Sequence, residues 1–258
     1  MNKKETVIIS ILTVMLAFMD ITGLPGRLII HIKMQDIDPV YFALMVNFLI
    51  IGAAAAIVLK LFCPDWKLGL QREGLWEGFK TYGPAGMIAA VISGIAFYIG
   101  LKPFDQQPTV WKILIEGIVY YVGVAAVEEL YVRGLLLNLI EKILYRKKNN
   151  TWTAIVLSSL VFGIGHIFGT LGQPVLVIVV KVVWTVSMGL YFGTIYKKTN
   201  NLWLPVILHF VMDICALPYC FTTMSGYADI SLYLILPTFV ILGIYSLCLM
   251  KRRGKVLE

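Results

Sequence analysis

Glu128 and Glu129 stand side by side inside an apolar run, with Arg133 one helical turn further on. The run Gly117–Ile118–Val119–Tyr120–Tyr121–Val122–Gly123–Val124–Ala125–Ala126–Val127 leads straight into them. A charge at the centre of a spanning helix costs roughly 2.5–3.5 kcal/mol on insertion scales, so such a cluster persists only if it is paired, hydrated and useful. Adjacent residues are about 100° apart round a helix, so the two carboxylates point to different sides. Glu129 and Arg133 are spaced i,i+4 in the acid-before-base order that favours pairing along one face. Glu128 is left without a local cation, the setting of a general base that takes a proton from water. A structural ion-pair knot between helices is the competing account. It suits Glu129 and Arg133 better than Glu128.

Two further polar clusters interrupt apolar segments. The first is Phe162–Gly163–Ile164–Gly165–His166, whose glycines permit close helix approach. The second is His209–Phe210–Val211–Met212–Asp213, where i,i+4 spacing puts imidazole and carboxylate on one helical face after the first-turn residue Pro205. Each alone fits a satisfied structural histidine. Together, separate helices supply Glu128, His166, His209 and Asp213, which a bundle can gather round one hydrated cavity. A carboxylate base with two imidazoles and a second carboxylate suits activation of water for attack on an amide. A zinc-assisted variant is open on the same chemistry, with His166, His209 and Asp213 as candidate ligands. The His-Glu-x-x-His helix of common soluble zinc proteases is absent.

The elements that must position these residues are membrane helices. The chain is 59% hydrophobic and 14% charged over 258 residues, unlike a soluble domain of this size. Apolar stretches at 6–24, 39–62, 82–101, 111–140, 152–171, 174–196, 202–219 and 230–250 each approach or exceed the ~20 residues that cross a bilayer. They predict an all-α integral membrane protein of about eight transmembrane helices in one polytopic domain over 1–258, with core helices at about 111–215. The first is interrupted by Asp20, Pro25 and Arg27 and is expected to break near Gly23. The fourth, from Trp111 to about Tyr145, exceeds what a bilayer needs, so it must tilt, bend at Gly117, Gly123 or Gly134, or project. Counting about 1.5 Å per residue puts Glu128 roughly 25 Å below Trp111, and His166 roughly 22 Å from the opposite end of its own helix. By that count the helices must be offset or tilted for the two to meet.

Basic residues alternate with the spans. Lys3, Lys4, Lys60, Lys67, Arg72, Lys80, Lys142, Arg146–Lys148, Lys197, Lys198, Lys251–Arg253 and Lys255 fall on one side, and only Arg27, Lys33, Lys102 and Lys112 on the other. The positive-inside rule then makes both termini cytoplasmic. The net charge of +7 reflects flanks that sit against anionic lipid, with no nucleic-acid partner required. Pro64–Lys80 mixes Trp66, Leu68, Leu70, Leu75, Trp76 and Phe79 with charges, the pattern of a short amphipathic helix in the interface. Cys63, Cys215, Cys220 and Cys248 are scattered and read as small apolar residues. The end Lys255–Glu258 is not a prenylation box.

The three clusters, in this order, resemble the CAAX protease and bacteriocin-processing (CPBP) family of intramembrane endopeptidases, also called the Abi family. Its pattern EExxxR, FxxxH and HxxxN or HxxxD matches Glu128–Arg133, Phe162–His166 and His209–Asp213. Gly189–Leu190–Tyr191–Phe192–Gly193 and Asn201–Leu202–Trp203–Leu204–Pro205 also look like the family's approach to the third motif. The resemblance implies an eight-helix bundle that hydrolyses a peptide bond of a peptide or lipid-modified protein, in a cell membrane that short loops make look bacterial. It implies that Glu128 activates water with help from His166, that His209 and residue 213 stabilise the oxyanion, and that Glu129 and Arg133 support the first motif. Asp213 stands where many members have Asn. An ionised carboxylate only accepts hydrogen bonds, so Asp213 must be protonated, orient His209 or bind a metal. Two other readings stay open: a proton-coupled transporter, and a non-catalytic scaffold or immunity protein on the same fold.

Overall fold

The computed structural model describes residues 3–32, 37–100, 109–217 and 229–251. Helix α1 (Lys3–Thr22) stops where Gly23 takes a left-handed backbone at φ +60°, and one further turn follows as α2 (Leu24–Arg27). The expected break is therefore a glycine turn. Helix α3 (Pro39–Phe62) opens with proline at its first position, and the Asp38 carboxylate accepts the Val40 N–H at 2.8 Å. Then come α4 (Leu75–Gly100), α5 (Val110–Ile143), α6 (Asn150–Gly165), α7 (Val175–Thr199), α8 (Trp203–Cys215) and α9 (Asp229–Lys251).

Seven of the described helices are long and apolar enough to cross a membrane, and the protein is an all-α multi-pass membrane bundle. The stretch expected at 202–219 contains α8, whose 13 residues reach only about 20 Å. Residues 218 and 219, like Lys33, Lys102, Cys220 and the Lys255–Glu258 end, lie outside the described residues.

The amphipathic helix expected over Pro64–Lys80 does not form. Residues 63–74 are turns and irregular chain, and helix begins only at Leu75, continuous with the third span. Gly69 and Gly74 take φ +69° and +74°, a backbone that side-chain-bearing residues avoid and that no helix accommodates. A Cβ at Gly69 would also stand 1.9 Å from the Asn200 carbonyl oxygen. The segment is instead strapped to the turn between α7 and α8. Leu202 N–H donates to Gly69 O, the Asn201 amide to Gln71 O and Glu73 O, and the Trp203 indole to Leu70 O.

Two larger apolar cores meet along α5 and α7. One joins α4, α7, α8 and α9 through Phe97, Met188, Phe192, Leu208 and Phe239. The other joins α1, α3, α5 and α6 through Ile9, Ile51, Val132, Leu135 and Phe162. Close approach of α6 and α7 depends on Gly163 and Gly189, where an added Cβ would meet Val186 at 2.2 Å and Ser159 at 2.9 Å. Gly165 needs no such explanation, its nearest neighbour being Ile21 at 3.8 Å. Pro84 lies inside α4. Beside it the Tyr191 hydroxyl donates to Tyr82 O at 2.6 Å and accepts from Gly86 N–H at 3.1 Å. It thus contacts a carbonyl and an N–H four residues apart in α4.

Candidate active site

α5 is continuous over Val110–Ile143, as its sequence predicts, but it is not uniform. Ile113–Val119 and Leu130–Leu137 are π-helical, flanking an α-helical Tyr120–Glu129. An i→i+5 stretch winds more residues into each turn and advances less per residue, and such stretches recur at functional sites. Glu128 therefore lies nearer the Trp111 end than uniform α-helix spacing gives. His166 lies just past the last residue of α6, as its C-cap. The π-helical winding of α5 reduces the depth mismatch, and Glu128 and His166 line one cavity of about 470 Å³ together with His209 and Asp213.

Glu129 and Arg133 are both fully buried and paired at 2.9 Å. The guanidinium also donates to Gly189 O at 3.3 Å and lies 4.8 Å and 5.5 Å from the ring centres of Phe162 and Phe192. The Arg133 cation is thereby tied to α6 and α7 as well as to its own helix.

The same Glu129 oxygen, Oε1, lies 2.8 Å from His209 Nδ1. A carboxylate can only accept there, so Nδ1 carries the proton. Glu129 thus fixes the tautomer and direction of His209, while the Phe192 ring stacks on the imidazole at 5.1 Å. Orientation of His209, one of the roles open to Asp213 from sequence, is a contact of Glu129 here. Asp213 Oδ2 lies 3.6 Å from the opposite nitrogen, Nε2, and Glu128 Oε2 lies 3.7 Å from it. Both spacings exceed hydrogen-bond distance. Glu128 Oε2 and Asp213 Oδ2 are buried and make no hydrogen bond among the described residues. Two acceptors so placed match the protons of a water molecule or an amide.

His166 Nδ1 is 2.8 Å from Phe162 O, to which it donates, leaving its Nε2 lone pair as an acceptor. Its ring meets Phe162 edge-on at 4.7 Å, and Phe162 in turn meets His209 at 6.2 Å. Phe162 thereby contacts both imidazoles and the Arg133 guanidinium. His166, His209 and Asp213 do not form a ligand set that fits zinc. Among the described residues no three His, Cys, Asp or Glu side chains form a group that could hold a metal ion.

Two charged residues of the site were not singled out from sequence. Lys181 of α7 lines the cavity, and its charge acts on His166 and Asp213. Asp20 of α1 acts electrostatically on Glu128 and Tyr131. The signal for Lys181 was present: a lone basic residue in the apolar first half of a 25-residue spanning helix is the anomaly that exposed the glutamates. Cys63, Cys215 and Cys248 are free, and burial pushes the Cys63 thiol up to about 11, so it stays an uncharged apolar group.

Residues 109–215 match a family model described as type II CAAX prenyl endopeptidase Rce1-like. The matched segment contains all three polar clusters, and it agrees with the CPBP resemblance of the sequence. No curated protein matches the chain.

Proposed function

We propose, with the Rce1-like match of residues 109–215 as premise, that this membrane protein is an endopeptidase that cuts a prenylated or otherwise lipid-modified protein. The observation that carries the reading is the Glu128 carboxylate held in a cavity with two imidazoles, each with one nitrogen already committed to a protein acceptor. Glu128 takes a proton from water as the water oxygen bonds to the scissile carbonyl carbon. His166 accepts the second water proton as a hydrogen bond through Nε2 and so aims the attack. With protons on both nitrogens, His209 donates one to Glu129 and offers Nε2–H to the carbonyl oxygen as it becomes an oxyanion. Asp213, 3.6 Å from the same Nε2, holds His209 in that form. Glu128 then delivers its proton to the amide nitrogen, and the carbonyl re-forms as the C–N bond breaks. A carboxylic acid and an amine leave, the acid passing its proton to the amine or to solvent.

Apolar walls built from Phe48, Phe97, Tyr120, Val124 and Met188 suit an isoprenyl chain or aliphatic side chains. The charge pattern supports both termini in the cytoplasm, and the short loops are in keeping with a bacterial plasma-membrane member. Purified protein in lipid nanodiscs, given a peptide with an isoprenylated cysteine near its C-terminus, is expected to release the residues beyond that cysteine. The Glu128→Gln protein is expected to bind the peptide without cutting it. Equal cleavage by both proteins would remove Glu128 from the mechanism.

A further inference from the structure

Every charged group of the cavity has its counterpart in the reaction except Lys181. Its ammonium stands 4.2 Å from the centre of the Trp184 ring. Among the described residues no carboxylate comes within ion-pair distance of it. An aromatic face compensates a desolvated cation only in part, and an ammonium inside a membrane bundle marks a pathway or a ligand. Lys181, Trp184, Thr185 and Met188 follow one another at i, i+3, i+4 and i+7, so α7 turns one continuous face to the cavity.

The height of Lys181 on that face can be read against the knot. Arg133 reaches α7 at Gly189 O. Lys181 lies eight residues earlier, a rise of about 12 Å along the helix. An extended peptide covers that distance in about four residues. Glu128 lies five residues before Arg133 on α5, which runs parallel to α7, so its own offset from Lys181 is shorter than about 12 Å. A peptide lying along α7 with its scissile bond at Glu128 would bring a group within about three residues of that bond to the ammonium.

We infer that Lys181 is a specificity residue that holds the α-carboxylate at the substrate's C-terminus, restricting cleavage to bonds within a few residues of a free chain end. The inference rests on the endopeptidase reading above. Lys181 acts on Asp213 across the cavity but, among the described residues, has no carboxylate at ion-pair distance, which leaves its ammonium able to take an apolar peptide tail carrying one negative charge. A chain end carries that charge whatever its sequence; an acidic side chain is the other source of the same chemistry.

The test uses the full-length protein in nanodiscs and three isoprenylated peptides of one sequence, ending in a free carboxylate, in a primary amide, or in an amidated glutamate. The wild-type protein is expected to cut the free acid at least about tenfold more efficiently than the amide, chiefly through KM, as loss of a charge-assisted contact requires. Lys181→Met is expected to remove that preference and Lys181→Arg to keep it. Binding of the same peptides to Glu128→Gln and to Glu128→Gln/Lys181→Met, followed by fluorescence anisotropy, gives the same comparison without hydrolysis and identifies a misfolded variant. Equal treatment of acid and amide by an active wild-type protein overturns the inference and leaves the endopeptidase reading standing. Recovery of full efficiency by the amidated-glutamate peptide overturns it in favour of an acidic side chain. Lys181-dependent binding of the acid with no cleavage of any peptide overturns the endopeptidase reading alone, and absence of both binding and cleavage overturns both.

Discussion

Two polar knots tie α5 to its neighbours, and they differ in what they leave over. Towards the C-terminal end of α5, Lys197 of α7 donates to Glu141 Oε2 at 2.5 Å and to Asn138 Oδ1 at 2.6 Å. The Asn138 amide donates to Gly134 O and the Tyr196 hydroxyl, and the Thr151 hydroxyl closes the remaining Glu141 oxygen. None of these side chains has a buried polar atom without a hydrogen bond. The knot at Glu129 and Arg133 is more deeply buried, yet Glu128 Oε2, Glu129 Oε2, Arg133 Nε and Asp213 Oδ2 all lack such a bond. Burying unsatisfied polar atoms costs about 1–3 kcal/mol each. A cluster built only to join helices would close them, as the Lys197 knot does. On the function proposed above, what separates a structural knot from a reactive one is unspent hydrogen-bonding capacity, which at Glu128 and Asp213 faces the cavity.

Substitutions that separate the two knots test this contrast. Glu128→Gln keeps the shape and removes the base, so turnover should fall by about 10²–10⁴ with little change in melting temperature. A turnover near wild type would make Glu128 part of the scaffold. Arg133→Met leaves Glu129 buried without its cation and should lower stability by roughly 3–5 kcal/mol, read as loss of folded protein on heating in detergent. Lys197→Met should cost about 1–3 kcal/mol, while turnover per folded molecule stays at the wild-type level. A selective loss of turnover there would mean that both knots serve the reaction. Smallest of all, Phe192→Leu removes the ring stacked on His209, a contact worth about 0.5–1.5 kcal/mol, and should slow turnover a few-fold with KM unchanged.

Whatever repeats along one helix was legible in the sequence. The Glu129–Arg133 pair needs only i,i+4 spacing, and it forms at 2.9 Å. The long fourth span and the stop at Gly23 were equally local. Contacts between helices were not legible. The second partner of Glu129 is His209, 80 residues away, and no spacing rule reaches across that interval. Lys181 was lost because hydropathy averaged over a span conceals one lysine. Residues 64–74 had the composition of an amphipathic helix, but positive φ at Gly69 and Gly74 answers to the Asn201 strap, which lies more than a hundred residues downstream. The candidate site residues were each visible as polar intrusions. Which nitrogen faced which carboxylate required the fold.

The Tyr191 phenol beside Pro84 has a consequence for biogenesis. Its two bonds in α4 span 105 and 109 residues of sequence. During synthesis α4 leaves the ribosome long before α7, and a membrane offers the Lys80 carbonyl, which Pro84 deprives of its helical donor, no water to substitute. The two contacts that Tyr191 makes beside Pro84 therefore form only when the sixth span joins the third.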